Sequence, residues 1–385
     1  MRFQLLDIVP YRTDPVTGQQ VPPHVRLEQT IAAARRAEEL GFDAVAVGER
    51  HAGPFLSSSP TVLLGALAAA TTRIRLGSGV TVLPLLDPVR VAEDYATIDQ
   101  LSAGRLELTI GKGNEVAQYP LLGYRIDDQW ELLAAKYDVL HKLWTETEVD
   151  WAGDAYTRPL AGVTALPRPF AGPPRIWHGS ATTLFSAGLA ASKGDPLFSA
   201  NAIQPLNNYG VLVDHYRSEY ARHGHDPAFA YVGAGSGALF IADTTQEAID
   251  QYGPVYEGIV AATNVPGNNT PYRDIRHAVA EGPSLVGTPE QIIDKIGSFH
   301  DRLGHDIQSI SLPTTLPFEQ QLDILQRFAE EVIPEVRRQF PTTLWTDADP
   351  YGRRPAFAGG VSPTDAASAV GVLGQPQDEA RSPAG

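Results

Sequence analysis

Glu49 and His51 are the residue pair in this chain best placed to move a proton. They close the run GFDAVAVGERH (Gly41–His51), in which the short apolar stretch Ala44–Val47 ends abruptly in an acid, a guanidinium and an imidazole. Residues two apart in extended backbone face the same side, so the carboxylate and the ring share one face. An acid beside an imidazole is a general acid–base arrangement; the plainer alternative is a surface ion pair involving Arg50. In RLGSGVTVLPLLDP (Arg75–Pro88), Gly77 and Gly79 leave room for a flat ligand or mark a bulge at a corner of the sheet. The segment GKGNE (Gly111–Glu115) offers exposed backbone amides and one cation, Lys112, which suits an anion. It lacks the Ser or Thr after the lysine, and the spacing, of a Walker loop. HGSATT (His178–Thr183) brings Ser180, Thr182 and Thr183 to the start of a helix, where amides and hydroxyls form a phosphate cradle. Ordinary capping uses one such hydroxyl, not three. Two tempting signals are set aside. GAGSG (Gly233–Gly237) has no helix after it, and HGHD (His223–Asp226) reads as a solvated helix-to-strand turn.

The elements that must position these residues follow one rhythm. Strands are expected at Phe3–Val9, Ala44–Val47, Ile74–Leu83, Arg105–Ile110, Arg175–His178, Pro196–Ala200, Tyr231–Ala242 and Asp306–Leu312. Helical periodicity separates them, as at His24–Leu40, where Ile31, Ala34, Ala37 and Leu40 share a face and Gly41 ends the helix. Strict alternation without runs of hairpins implies a parallel sheet with right-handed crossovers. Eight such units favour a closed (β/α)8 TIM barrel with insertions, whose active sites lie at the carboxyl ends of the strands. The barrel is expected over 1–340, followed by an extended or disordered tail at 341–385 that is rich in Pro, Gly, Ala and Ser. The excursion Ala261–Pro283 reads as a lid or as disorder. It, the loop Pro10–Pro23 and the insertion Asp154–Pro174 are the candidate pocket walls.

Composition narrows the partners. A net charge of −15 argues against nucleic acid or an anionic membrane as the main partner. The chain has no cysteine, which removes disulfides and thiolate chemistry. No leader-like segment opens the chain and no apolar run approaches the roughly 18 residues of a membrane span. A soluble cytoplasmic protein acting on a small molecule is the expectation.

Taken together, the segments GFDAVAVGERH, IRLGSGVTVLPLLDPVRVAED, DQLSAGRLELTIGKGNE, QYPLLGY, HGSATT and LVGTPEQIIDKI make the chain resemble the bacterial-luciferase-like flavin-dependent monooxygenases, over about residues 1–340. The resemblance implies reduced FMN at the strand ends, supplied by a separate flavin reductase. Dioxygen would form a flavin 4a-hydroperoxide that oxygenates a small organic substrate. It puts Gly79–Val80 where the family often has a non-proline cis peptide beneath the ring. Lys112, with Gly113 and Asn114, falls where an arginine commonly touches the phosphate, and Gly179, Ser180, Ala181, Thr182 and Thr183 form the opposing cradle. His51 is then the proton-handling residue and Glu49 its orienting partner, with Trp177 and the strand end Leu197–Asn201 expected to wall the ring. Where the family usually reads Glu-His-His, this chain has Glu49-Arg50-His51, so aldehyde light chemistry is not expected. Related barrels use deazaflavin for hydride transfer, and some relatives bind flavin without turnover; both readings stand beside the first, as does a metal hydrolase built on Glu49, His51 and His178. The resemblance also implies a homodimer formed through the second and third helices, around Leu63, Leu64 and Leu67.

Overall fold

The computed structural model describes residues 1–14, 17–181, 183–237, 239–263 and 270–346. Eight parallel strands form its centre: β1 (Arg2–Asp7), β2 (Ala44–Val47), β3 (Arg75–Ser78), β4 (Leu106–Gly111), β5 (Ile176–Ser180), β6 (Leu197–Ser199), β7 (Val232–Ala234) and β8 (Ile307–Ile310). Each pairs with its neighbours in chain order, β8 returns to β1, and β3 pairs with β4, so the sheet closes. This is the expected (β/α)8 barrel, and each of the eight strands overlaps a stretch where the alternation put one, although the third, expected over Ile74–Leu83, ends at Ser78 and resumes only as Thr81–Val82.

The outward residues Phe3, Leu5, Val45, Val47, Leu76, Leu106, Leu108 and Ile110 are buried under the helices. Those helices are α1 (Pro23–Glu39), α2 (Pro60–Ala70), α3 (Pro88–Leu101), α4 (Gln129–Thr145), α5 (Leu184–Lys193) and α6 (Leu206–Arg222). The set continues with α7 (Thr245–Thr263), α8 (Pro289–Leu303) and α9 (Phe318–Arg327). Asp87 caps α3 by accepting from Val89 N and Arg90 N, which holds the loop after β3 in place. The segment LVGTPEQIIDKI has a physical role as well. Its Thr288 and Gln291 form a reciprocal capping box that starts α8. Leu63, Leu64 and Leu67, considered above as dimer contacts, are buried against the barrel core.

Three features depart from expectation. The strand expected over Tyr231–Ala242 is broken at its glycines: β7 ends at Ala234, and Leu239–Ile241 pairs instead with Leu285–Gly287 in a separate parallel pair. Between these lie α7 and a short helix, Ile275–Ala280, neither of which was expected. The insertion Asp154–Pro174 supplies one strand of an antiparallel hairpin, Leu160–Val163, which pairs with Val149–Trp151 just before it. It lies along α3 and α4, tied down by Arg158 to Asp87 and by Arg168 to the carbonyls of Leu143 and Trp144.

The barrel interior is bulky below and small above. Arg75, Glu107, Trp177 and Phe198 fill the floor, while Ala46, Gly77, Gly79, Gly111 and Gly179 occupy higher levels. Residues 341–346, assigned to the tail by composition, run beneath that floor. Leu344 is fully buried there and Trp345 Nε1 donates to Glu107 Oε1 at 2.6 Å. Residues 347–385 lie outside the described residues. Among the described residues no helix is long and apolar enough to cross a membrane.

Candidate active site

At the upper end of β2, Gly48 lets the chain press against β1, since a Cβ there would sit 2.6 Å from Ile8 Cγ2. The next residue, Glu49, turns inward and is 4% exposed. Its Oε2 accepts from Val82 N at 2.8 Å and its Oε1 lies 2.9 Å from His51 Nε2. A carboxylate already accepting from an amide has only acceptor capacity for the ring, so Nε2 is the donor in this contact and Nδ1 is left to face the cleft's chemistry. Arg50 does not pair with Glu49. Its guanidinium crosses to Glu115 of the β4 loop at 2.6 Å and lies 4.9 Å over the Phe55 ring.

Beside this pair the tops of β3, β4 and β5 interlock. Gly79–Val80 is a cis peptide, as the resemblance implies. The space a side chain would take at Gly79 is filled by Leu6 Cδ1, and Val80 fits against both Gly111 and Gly179, each of which has no Cβ to oppose it. Lys112 donates to Gly113 O at 3.1 Å and lies 5.7 Å from the Trp130 ring. It has no carboxylate partner among the described residues, and burial pushes its pKa below the usual lysine range. Gly113, at φ +72°, has no room for a side chain because Gln118 Nε2 occupies that position. Asn114 and Ala181 are exposed.

On the other side, Ser180 Oγ donates to Thr183 O at 3.0 Å. Thr183 sits at the N-cap of α5 without a side-chain capping bond, so the first amides of that helix keep their donors. Thr182 lies outside the described residues. Trp130 joins the two sides: its ring is 5.2 Å from Phe185 in the first turn of α5 and also faces Lys112. An ammonium and an uncapped helix N-terminus thus flank one indole.

These residues fit a phosphorylated flavin. Lys112 is partly desolvated with no counter-charge, and both amide atoms of buried Gln118 lack a hydrogen-bond partner. An anion bound beside Lys112 would supply the missing charge, since a buried cation is costly unless paired. Sequence reasoning missed Trp130 and Gln118. Only their place in helices after the GKGNE loop would have pointed to them.

Other candidates fall elsewhere. Trp177, expected beside the ring, is on the floor, donating to Glu107 Oε2 at 2.8 Å and packing edge-on to Phe198. Of the β6 residues expected with it, Leu197 packs outward against α5 and α6. His178 faces outward too, to Asp195 at 3.1 Å and the Tyr137 ring, and so does not converge with Glu49 and His51. The glycines of GAGSG admit neighbours: Phe198 packs over Gly233, and Ala200 O occupies the side-chain position of Gly235. The insertion Asp154–Pro174 lines no part of the larger cavity at the mouth, whereas Pro10, Arg12 and the segment after α7 do.

The chain belongs to the luciferase-like monooxygenase family, whose model matches residues 1–306. It is 30% identical over 287 residues to the uncharacterized protein YwcH of Bacillus subtilis, an alignment covering 70% of this chain and 83% of that one. Monooxygenase RslO1 from Streptomyces bottropensis shares 26% identity at a TM-score of 0.76, with 87% of this chain and 99% of that chain covered. The fold is also that of the oxygenating constituent of 3,6-diketocamphane monooxygenase from Pseudomonas putida, solved in complex with FMN. There the TM-score is 0.70 at 18% identity, covering 87% of this chain and 99% of that one.

Proposed function

We propose that this protein is a monooxygenase that uses reduced FMN and dioxygen to oxygenate a small organic substrate. The observation that carries this reading is that Lys112 and the first turn of the uncapped helix α5 both lie against Trp130, on a mouth that also holds the Glu49–His51 pair. The bound flavin supplies two electrons, so that one oxygen atom enters the substrate and the other leaves as water. Lys112 and the α5 amides hold the phosphate, and the Gly79–Val80 peptide with Leu6 behind it supports the ring. His51 accepts or returns a proton at Nδ1, while Glu49 keeps Nε2 protonated and the imidazole fixed. Val80 and Leu6, packed at the Gly79–Val80 peptide, would keep water from the ring it supports. None of the glycine-rich loops has the form of a dinucleotide fingerprint, so the reduced flavin comes from a separate reductase.

Titration of the full-length protein with FMN and, separately, with a deazaflavin tests the cofactor. Saturable FMN binding is expected, and tight binding of deazaflavin alone overturns the reading in favour of hydride transfer. Rapid mixing of the reduced-FMN complex with oxygen tests the chemistry. Oxidised-flavin absorbance is expected to return more slowly than for free reduced FMN; equal rates would mean that the site does not protect an oxygenating species.

A further inference from the structure

Apart from Leu6 of β1, Trp130 of α4 and the first amides of α5, the residues assigned to the flavin come from the tops of β2 to β5. The other half of the mouth, above β6, β7, β8 and β1, holds a cavity of about 320 Å³, near the lower end of the roughly 300–1,000 Å³ found for small-molecule sites. Leu6 stands in its wall and also packs on Gly79, so one side chain separates the cavity from the Gly79–Val80 peptide. Most of the lining is apolar or aromatic, including Ile8, Ile203, Leu312, Tyr252 and Tyr256.

Polar residues line the cavity as well, and some are satisfied, with Ser236 Oγ donating to Ser309 O and Gln321 Nε2 to Leu316 O, whereas Arg12, Tyr272 and Thr315 are not. Arg12 reaches the cavity from the β1 loop and lies 5.7 Å over Phe55. Glu115 attracts it but is bound to Arg50 at 2.6 Å, and Arg12 has no hydrogen-bonding or carboxylate partner among the described residues. Farther in, Tyr272 Oη and Thr315 Oγ1 are buried without partners. The carboxylate in the wall, Asp7, is taken by Arg26 and Thr30. A half-buried guanidinium without an anion and two unpaired hydroxyls are each costly as they stand.

We propose that this cavity is the substrate site and that the substrate is a small ring-bearing organic acid. Its carboxylate pairs with Arg12, its ring lies between Leu6 and the tyrosines, and a second oxygen meets Tyr272 and Thr315. The word substrate rests on the function proposed above; the binding preference does not.

The probes are 2-naphthoate and its uncharged analogue 2-naphthamide, titrated by calorimetry into the full-length protein without flavin. Naphthoate is expected to bind at least about tenfold more tightly, the low end of what a charged hydrogen bond contributes. Arg12→Gln should erase the preference while keeping naphthamide affinity, and Ile203→Trp, which fills the cavity, should remove both ligands. Equal affinities, no binding of either probe, a preference that survives Arg12→Gln, or binding that survives Ile203→Trp each overturns the proposal. A parallel FMN titration separates the two readings. Naphthoate preference without FMN binding sinks the cofactor assignment and leaves the acid site, whereas FMN binding without the preference sinks the acid site alone.

Discussion

At the scale of single residues, the site depends on which atoms already have partners. Glu49 spends both oxygens, one on the Val82 amide and one on His51, so its charge fixes the ring rather than meeting a ligand. His51→Ala is expected to lower turnover about 10²–10⁴-fold, the usual range for removing a general acid–base group, with FMN affinity nearly unchanged. Steady-state rates beside a flavin titration check this, and a fully active variant removes His51 from the mechanism. Glu49→Gln should lower turnover as well, because its amide nitrogen would face either the Val82 N–H or the ring N–H. Lys112 is in the opposite condition, a partly desolvated cation facing a carbonyl and an indole. Lys112→Ala should weaken FMN binding by about 1.5–3 kcal/mol, the scale of one charged hydrogen bond. Unchanged affinity would place the phosphate elsewhere.

At the scale of elements, the cleft is shaped by strands that approach closely because they lack side chains at chosen levels. Val80 is boxed between Gly111 and Gly179, and a Cβ at Gly179 would stand 2.6 Å from Val80 Cγ1. A β-branched side chain has little rotamer freedom with which to yield. Gly179→Ala should therefore cost about 1–3 kcal/mol of stability in urea unfolding, as overpacking does, and weaken FMN binding too. Gly65→Ala in α2 is the matched control: nothing lies within 4 Å of its Cβ position, and it should gain about 0.5–1 kcal/mol. The same elements show what the sequence discloses. The eight strands were legible because short apolar runs between Gly- and Pro-rich turns have few other readings. Helix α7 was not, although Ala248, Tyr252, Val255 and Tyr256 are spaced for one buried face, because Gly253–Pro254 reads as a break. The hairpin strands at the insertion are three and four residues long, too short for alternation to register. Trp177 was misplaced for a different reason. Alternation tells which residues of β5 point inward, but how deep each lies depends on strand stagger, which only the closed barrel sets.

At the scale of the whole molecule, β1 and residues 341–346 meet under the barrel, opposite the site. Arg2 donates to the carbonyls of Leu344 and Trp345, and Glu107 gathers Arg75, Trp177 and Trp345 in the floor. His305 lies in the turn from α8 into β8 near this end. It is almost wholly buried, 3.1 Å from Gln308 Oε1 through Nε2, with Nδ1 unpartnered. Burial, aided by the neighbouring His300, lowers its pKa from 6.5 to about 3. The folded chain therefore holds this ring neutral through a range in which the unfolded chain takes up a proton. Above the unfolded value both states are neutral and the contribution is flat. As the pH falls below about 6.5, stability should drop by about 1.4 kcal/mol per unit from this group, or roughly 2 kcal/mol by pH 5. His305→Gln keeps a donor for Gln308 but cannot be protonated. It should be less stable than the parent at pH 7, yet lose about 2 kcal/mol less than the parent between pH 6.5 and 5 in denaturant titrations. Parallel losses in the two proteins would show that the ring is charged, or open to water, in the folded state.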